Sequence, residues 1–480
     1  MTPAASDVVV VGAGVAGLAI ARDLAAAGRR VTVVEASDRV GGLLRRAELD
    51  GVAVDVGAES FAVRTTGVAD LIADAGLALR VAAPAPGGAH LVLADGAGLL
   101  RAPLPERAVL GIPADPLADD VVRILGPEAA RRAAAEATTE ADAEGDAEPS
   151  LADLVARRCG PVLVDRLVDP LCRSVYSLSA SQVRMSRLHP ALWREFRSRG
   201  SLLAAADAVA APARAGAAVA GIEGGMWRLA DALARAAEDE GAQLLLGTPV
   251  LGLSLDGDGD GDGDGVVVQT GGPDGRGELR ARRVVGATGT ASARRLLGAP
   301  AVSAAEAAAP AVRVVVALVD APGLDRHPVG SGVIVGAGVP TAAKALTHVT
   351  AKWPWAAAHQ AEALAGRHVV RLSARDAAAP GLDTRADIAR EISLLTGVEI
   401  DASAVAALTS VVWDDAVAAR PVDADRERFL AERGILLAGA AVAGTGLASV
   451  IPHARALART LVDADETAST PTALTPRRTA

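Results

Sequence analysis

Four consecutive valines, Val8 to Val11, run directly into Gly12-Ala13-Gly14-Val15-Ala16-Gly17, and this junction constrains the fold more than any other feature of the chain. An unbroken β-branched run reads as a parallel strand buried on both faces. The glycines after it fit G-x-G-x-x-G in the context that motif needs, directly after a strand and opening a helix. The first glycine permits the tight turn, the second lets main chain approach a pyrophosphate, and the third lets helix and strand pack closely. The helix, expected over Val15 to Ala27 and ended by Gly28, turns its free N–H groups and positive dipole end toward phosphate. A second strand, Val31 to Glu35, completes a βαβ start, and Glu35 stands where a carboxylate accepts hydrogen bonds from ribose hydroxyls, with Ala36 beside it. This unit alone does not separate NAD from FAD.

Further along, a mainly helical stretch is expected from about Leu104 to Ala220, with Glu136 to Ser150 as an exposed acidic loop. A helix from Gly224-Gly225 through Asp239 and a strand at Gln243 to Leu246 follow. The strict Asp-Gly alternation from Asp256 to Gly265 lacks the closing carboxylate of a calcium loop, since Val267 stands there, and reads as a hairpin tip. Strands at Val266 to Gln269 and Arg283 to Ala287 lead to a sheet-rich stretch over roughly Val312 to Leu372. The uncharged run Ile435 to Pro452 is about long enough to span a bilayer. Its glycines and proline make strand, turn and helix start the better reading, and the tail is expected to be disordered.

Composition bounds the function. A formal net charge of -10 argues against nucleic acid as a partner. Cys159 and Cys172 are the only cysteines, which suits a reducing cytoplasm, the expected location, and gives no disulfide framework. No catalytic triad or metal cluster is visible in the pattern, and the histidines are scattered without ligand spacing.

The continuation of the first motif resembles the amine oxidase and protoporphyrinogen oxidase superfamily. Glu35 is followed by Gly41-Gly42-Leu43 and, after a short hairpin, by Val54-Asp55-Val56-Gly57-Ala58-Glu59-Ser60. The segment Leu436 to Leu447 resembles the strand and turn that return to the flavin in that group. Several blocks resemble more specifically the bacterial coproporphyrinogen III and protoporphyrinogen oxidases: GAESF at 57–61 with Arg64 after it, ERAVLGIPAD at 106–115, the helical region 150–176, GIEGGMWRLADAL at 221–233, and AKWPW at 351–355. Two places depart. Trp413 is followed by Asp414-Asp415-Ala416-Val417 without the family's proline, tyrosine and Gly-His pair, and the turn Ala443 to Ala448 lacks a proline.

The resemblance implies an α/β fold: a Rossmann-like, doubly wound, three-layer FAD-binding domain from 1–62, 221–300 and 405–465. It also implies a mixed-sheet substrate domain from 63–103 and 301–404, a helical lobe at 104–220 and a tail at 466–480. FAD is the implied cofactor, held by Gly12 to Gly17, Glu35, Ala36, Gly42, Leu43 and Gly57 to Ser60. Val250 is implied against the adenine, Trp413 in the flavin domain, and Thr445, Gly446 and Leu447 near the isoalloxazine. The implied reaction is oxidation of coproporphyrinogen III in haem biosynthesis, two electrons at a time over three flavin cycles, with oxygen as acceptor and hydrogen peroxide released. Protoporphyrinogen IX is the alternative substrate, and a flavin-binding relative without turnover the alternative from another class. An amine oxidase's aromatic cage is hard to build from aromatics at 2% of residues and one tyrosine. Propionates call for cations. Arg64, Arg173 and Lys352 are the candidates, Lys352 because Lys344 is the only other lysine. Trp353 and Trp355 read as core or interface aromatics.

Overall fold

The computed structural model describes residues 6–96, 98–138, 148–176, 178–210, 219–256, 265–272, 275–296, 311–375, 380–414 and 424–469. The valine run lies in strand Ser6–Val11, and all four valines are at most 4% exposed. Alternate residues serve opposite cores. Val8 and Val10 pack with the helices Val15–Ala26, Trp227–Asp239 and the C-terminal helix, while Val9 and Val11 pack with Val266, Val268 and Leu437. That two-sided burial is why the run has no polar positions. The sheet runs Gln243–Leu245, Val31–Val34, Ser6–Val11, Gly277–Gly286, Gly265–Thr270, Val250–Asp256, and Ile435–Leu437 also pairs in parallel with Gly277–Gly286. Both ends of the chain therefore build one Rossmann-like, three-layer unit.

A second sheet of seven strands is mixed, in the order Val405–Trp413, Val312–Val319, His368–Ala374, Ala345–His348, Gly332–Val335, His90–Asp95, Gly98–Pro103. One face packs on helix Arg385–Thr396 through Val315, Ala317, Val370 and Leu372. The other carries Val312, Val314, Val316 and Val369 against the hairpin Arg46–Leu49 and Val52–Asp55 of the first unit. A third, mostly helical cluster gathers Ile112, Leu151, Leu167, Leu192 and Leu202. Its segment 161–176 contains two π-helical turns, Val164–Val168 and Cys172–Tyr176.

Several sequence expectations need correction. Strand Val405–Trp413, expected in the dinucleotide unit, is an edge of the second sheet. Its register from Val312↔Trp413 to Val319↔Val405 ties it there, and the chain re-enters the first sheet only at Ile435. Helix Gly67–Asp74, expected with the substrate domain, buries Val68, Leu71 and Ile72 in the first unit's core. Glu136, expected in an exposed loop, is 1% exposed and accepts hydrogen bonds from Arg158 at 3.1 Å, Ser201 at 2.6 Å and the Leu202 amide at 2.8 Å. Residues 139–147 of that segment lie outside the described residues. The C-terminal helix, Leu447–Ser469, runs past residue 466, and Ile451, Ala454, Ala458 and Leu461 hold its first part on the core as a helical stripe. Residues 470–480 are outside the description, as are 257–264 of the Asp-Gly run, whose flanking strands pair as a hairpin, Asp256↔Gly265. Among the described residues, no helix is long and apolar enough to cross a membrane.

Candidate functional site

The glycine turn is held from both sides. Gly12 has φ +106, donates to the Val34 carbonyl at 2.8 Å, and a Cβ there would meet the Ala287 carbonyl at 2.9 Å. A Cβ on Gly17 would collide with the Gly12 carbonyl, whereas one on Gly14 would meet nothing within 4 Å. The turn is thus closed toward the sheet and open above Gly14. Gly14 caps helix Val15–Ala26 without any side-chain hydrogen bond to the first turn, which leaves its N–H groups available to an anion. The Glu35 carboxylate takes the Ala13 amide at 2.9 Å on one oxygen and the Ser37 amide and hydroxyl at 2.9 and 2.8 Å on the other. This fixes its orientation at the end of the second strand. Val250 begins the strand next to this corner, where the Thr248 amide donates to the Glu35 carbonyl at 2.8 Å.

The second glycine pair lies over the first. Gly41 bridges Gly14 and donates to the Ala13 carbonyl at 2.8 Å. The sequence reading did not include Arg39, whose guanidinium donates to the Gly42 carbonyl at 3.0 Å and stands beside this loop. The Ala58 amide donates to Leu43 at 2.9 Å, and the Trp413 indole donates to the Val56 carbonyl at 2.8 Å, drawing 42–43, 57–60 and Trp413 together. Gly439 approaches Ala16, and the exposed bend Thr445-Gly446 opens the C-terminal helix at Leu447. Residues 415–423 lie outside the described residues.

The three cationic candidates differ in setting. Lys352 ends the short helix Val349–Lys352 and meets Glu59 at 2.6 Å, both side chains being 13–14% exposed. Burial raises the Glu59 carboxyl, but Lys352 and Arg371, with Thr347, outweigh it and hold the group below its ordinary range. One Glu59 oxygen is buried without a partner and borders a small cavity shared with Asp55, Gly225, Trp353 and Trp355. Asp55 accepts the Met226 and Trp227 amides at 2.9 and 3.2 Å, at the start of helix Trp227–Asp239. Burial nonetheless pushes it up to about 7, with Glu59 adding to the shift and the amides and Arg371 opposing it. Trp353 is 1% exposed, a core aromatic as expected.

Arg64 is exposed and donates to the Ser449 hydroxyl at 2.6 Å, linking the 57–64 block to the C-terminal helix. It also faces the helical lobe. Burial raises the Tyr176 phenol and lowers His189, and Arg64 opposes the first effect and adds to the second. Arg173 sits on the π-helical turn of the lobe, paired with Asp169. The structure brings Lys352 and Arg64 to the glycine-rich blocks and leaves Arg173 on the helical lobe, paired with Asp169.

A family model described as flavin containing amine oxidoreductase matches residues 15–461. Coproporphyrinogen III oxidase of Mycobacterium tuberculosis is 32% identical over 230 residues, 47% of this chain and 50% of that protein. The Bacillus subtilis coproporphyrinogen III oxidase is 26% identical over 209 residues, 42% of this chain and 43% of that one. The chain thus spans half or less of the length of these curated relatives. A chloroplastic/mitochondrial protoporphyrinogen oxidase 2 of Arabidopsis thaliana is 28% identical over 201 residues, 42% of this chain and 38% of that one. Among solved structures, a chain from Exiguobacterium sp. 255-15, provisionally assigned as a protoporphyrinogen oxidase, superposes with a TM-score of 0.76 at 22% identity. That match covers 96% of this chain and 99% of that one. Cyclohexylamine oxidase of Brevibacterium oxydans superposes with a TM-score of 0.62 at 19% identity, over 96% and 100%. The structural likenesses establish the fold.

Proposed function

The chain belongs to the flavin containing amine oxidoreductase family, whose members bind FAD, and from that premise we propose that it oxidises coproporphyrinogen III to coproporphyrin III. Oxygen would serve as final acceptor and hydrogen peroxide would be released. The observation that carries the reading is the sequence match to coproporphyrinogen III oxidases. The placement of Lys352 and Arg64 beside the glycine-rich blocks supports it.

FAD supplies the two-electron chemistry when bound; the chain's own residues bind, orient and exclude water. The open side of Gly14 and the first turn after it would take the pyrophosphate, with Arg39 as nearby counter-charge. Glu35 and Ala36 would meet the ribose, and Val250 the adenine. Gly42, Leu43, Gly57 to Ser60, Trp413 and Thr445 to Leu447 would line the rest of the cofactor. Lys352, oriented by Glu59, and Arg64, anchored on Ser449, would draw propionates toward this surface, since charge-assisted contacts to carboxylates are strong and directional.

The test is aerobic turnover by FAD-loaded protein, offered coproporphyrinogen III and protoporphyrinogen IX separately, with porphyrin fluorescence and peroxide followed together. Preference for coproporphyrinogen with about three peroxides per porphyrin, as three two-electron cycles require, supports the reading. Preference for protoporphyrinogen moves it to the second reading, which the Arabidopsis relative favours. No turnover above the spontaneous rate on either, with FAD bound, overturns both.

A further inference from the structure

Lys352 reaches the site on the end of a helix of a single turn, Val349–Lys352. A turn that short has no stability of its own, and the residue before it, His348, makes no side-chain cap. Its orientation therefore depends on what fastens its ends. At the far end Trp353, 1% exposed, packs beside Gly221, where a Cβ would meet the indole at 2.9 Å, and the Lys352 carbonyl accepts the Ala85 amide at 2.8 Å. At the near end stands His348, the last residue of strand Ala345–His348, whose amide donates to the Ser331 carbonyl at 3.0 Å.

The His348 side chain is 1% exposed and continues into a chain of three groups. Its Nε2 lies 3.0 Å from Nδ1 of His368, the first residue of strand His368–Ala374, and Nε2 of His368 lies 3.0 Å from Oδ1 of Asp325. A carboxylate only accepts, and a neutral imidazole donates from one nitrogen and accepts at the other. The order of donors is thereby fixed. His368 donates from Nε2 to Asp325 and accepts at Nδ1, so His348 donates from Nε2 to His368, and each ring is held in one tautomer and one orientation. His327, two residues after Asp325, has a left-handed φ of +48, and its ring stands edge-on to His348 with centroids 5.3 Å apart. Asp320 also acts on His368, while Arg367 is turned to Asp50 and Lys352 to Glu59. Burial lowers both buried histidines, which keeps them neutral and the order of donors intact at neutral pH.

We propose that Asp325, His368 and His348 act as a positioning chain for Lys352, fixing the strand-to-helix junction that sets its ammonium against Glu59 and in reach of a carboxylate of the substrate. The inference rests on the place given to Lys352 in the proposed function and deepens that reading. His348 and Lys352 are one helical turn apart, with no loop between them to absorb a rotation of the junction. A change in the His348 ring is therefore passed to the lysine.

Lys352 and Lys344 are the only lysines of the chain, which makes a direct test possible. The FAD-loaded protein is treated with an amine-reactive acetylating ester at a fixed, mildly alkaline pH, and acetylation of each lysine is followed by peptide mass spectrometry. Lys344 precedes the other end of strand Ala345–His348 and reports general loosening of the sheet. His348→Leu, which cannot donate to His368, should speed modification of Lys352 about tenfold and leave Lys344 unchanged. His348→Gln keeps an N–H donor near the place of Nε2 and should stay within about twofold of wild type. Asp325→Ala removes the exposed end of the chain, should give a smaller rise of several-fold, and carries the test if flavin absorbance shows that His348→Leu does not fold. A Lys352 rate unchanged in the folded variants, or rising equally at Lys344, overturns the positioning chain. Labelling needs no substrate, so it is decided apart from the porphyrinogen reading. On that reading, His348→Leu should also raise KM for coproporphyrinogen III several-fold with kcat near wild type. Faster labelling with unchanged KM overturns the role toward the substrate's carboxylate, and a wild type that turns over neither porphyrinogen overturns the reading while the labelling result stands.

Discussion

The glycine cradle and the cationic side chains around it are built on opposite principles. In the cradle the working surface is main chain: Gly12, Gly14 and Gly17 shape it, Gly41 lies over it, and a single carboxylate, Glu35, braces the turn through the Ala13 amide. The cations are side chains, each brought by a different element and held in place by a charge or hydrogen-bond partner, as Lys352 is by Glu59 and Arg173 by Asp169. A main-chain surface fails sterically and all at once. A side-chain surface fails electrostatically and by degrees.

The sharpest way to break the comparison is within the cradle. Gly17→Val places branched carbon against the Gly12 carbonyl and the Val10 side chain, and the expected outcome is loss of soluble, flavin-loaded protein, read by yield and by absorbance near 450 nm. Gly14→Ala is the control, because its Cβ meets nothing within 4 Å. It should fold with an unchanged unfolding midpoint while FAD affinity drops by tenfold or more, since the added methyl occupies the face that phosphate approaches. If Gly14→Ala binds FAD as the wild type does, the cradle does not hold the pyrophosphate.

Lys352→Met tests the side-chain surface. It removes the ammonium paired with Glu59 and leaves that buried carboxylate with only Arg371 and Thr347 to oppose the cost of burial. Breaking a buried pair costs about 3–5 kcal/mol, and the partial exposure of both groups puts this one at or below the low end. Denaturant unfolding measures it. Glu59→Gln in the same background should recover part of the loss, because the stranded charge is then gone.

The same contrast explains what could be read from the sequence. In the cradle, neighbours in space are neighbours in sequence, so Gly12 to Gly17 and Glu35 announce themselves by spacing. The second sheet joins strands from 90–103 and 312–413, and no local pattern says that Lys352, just after one of them, meets Glu59 of the glycine-rich block. A signal existed in HVVRLSA, where Arg371 interrupts a buried strand, but it does not identify the facing element. Edge strand Val405–Trp413 was misplaced for a related reason: its half-buried pattern fits either sheet, and only pairing with Val312–Val319 decides. The burial of Glu136 was equally invisible, because its partners Arg158 and Ser201 lie on other helices.

Acidity separates two further regions. On the second sheet Asp325 accepts from His368 at 3.0 Å, and the other nitrogen of His368 lies 3.0 Å from His348. Burial, then His368 and His327, push His348 down to about 3, and burial also lowers His368 against the opposing effect of Asp325. Both histidines bind protons more weakly folded than unfolded. His348 leaves stability untouched above the unfolded value of about 6.5 and erodes it as pH falls from there toward 3, by up to about 1.4 kcal/mol per pH unit, and His368 acts in the same direction. Asp55 behaves inversely. Its folded value of about 7 lies above the unfolded one, so its contribution is fullest below about 3.9 and declines as pH rises to 7. His348→Gln should flatten the acid limb of an unfolding-midpoint profile, and Asp55→Asn the limb between about 4 and 7. If neither variant changes its limb, these groups are not buried as described.

The smallest effect belongs to Arg64. It is exposed and donates to a neutral hydroxyl, Ser449, so removing its charge strands no buried group and leaves the unfolding free energy within about 0.5 kcal/mol of wild type. On the proposed function, its position near Tyr176 would let it draw an anionic substrate inward. Arg64→Gln should therefore raise KM several-fold and leave kcat near its wild-type value. The difference should shrink as ionic strength increases, because an exposed charge acts through screened solvent. A fall in kcat at saturating substrate would instead place Arg64 against the reacting ring, and would move that residue from the rim of the candidate site to its centre.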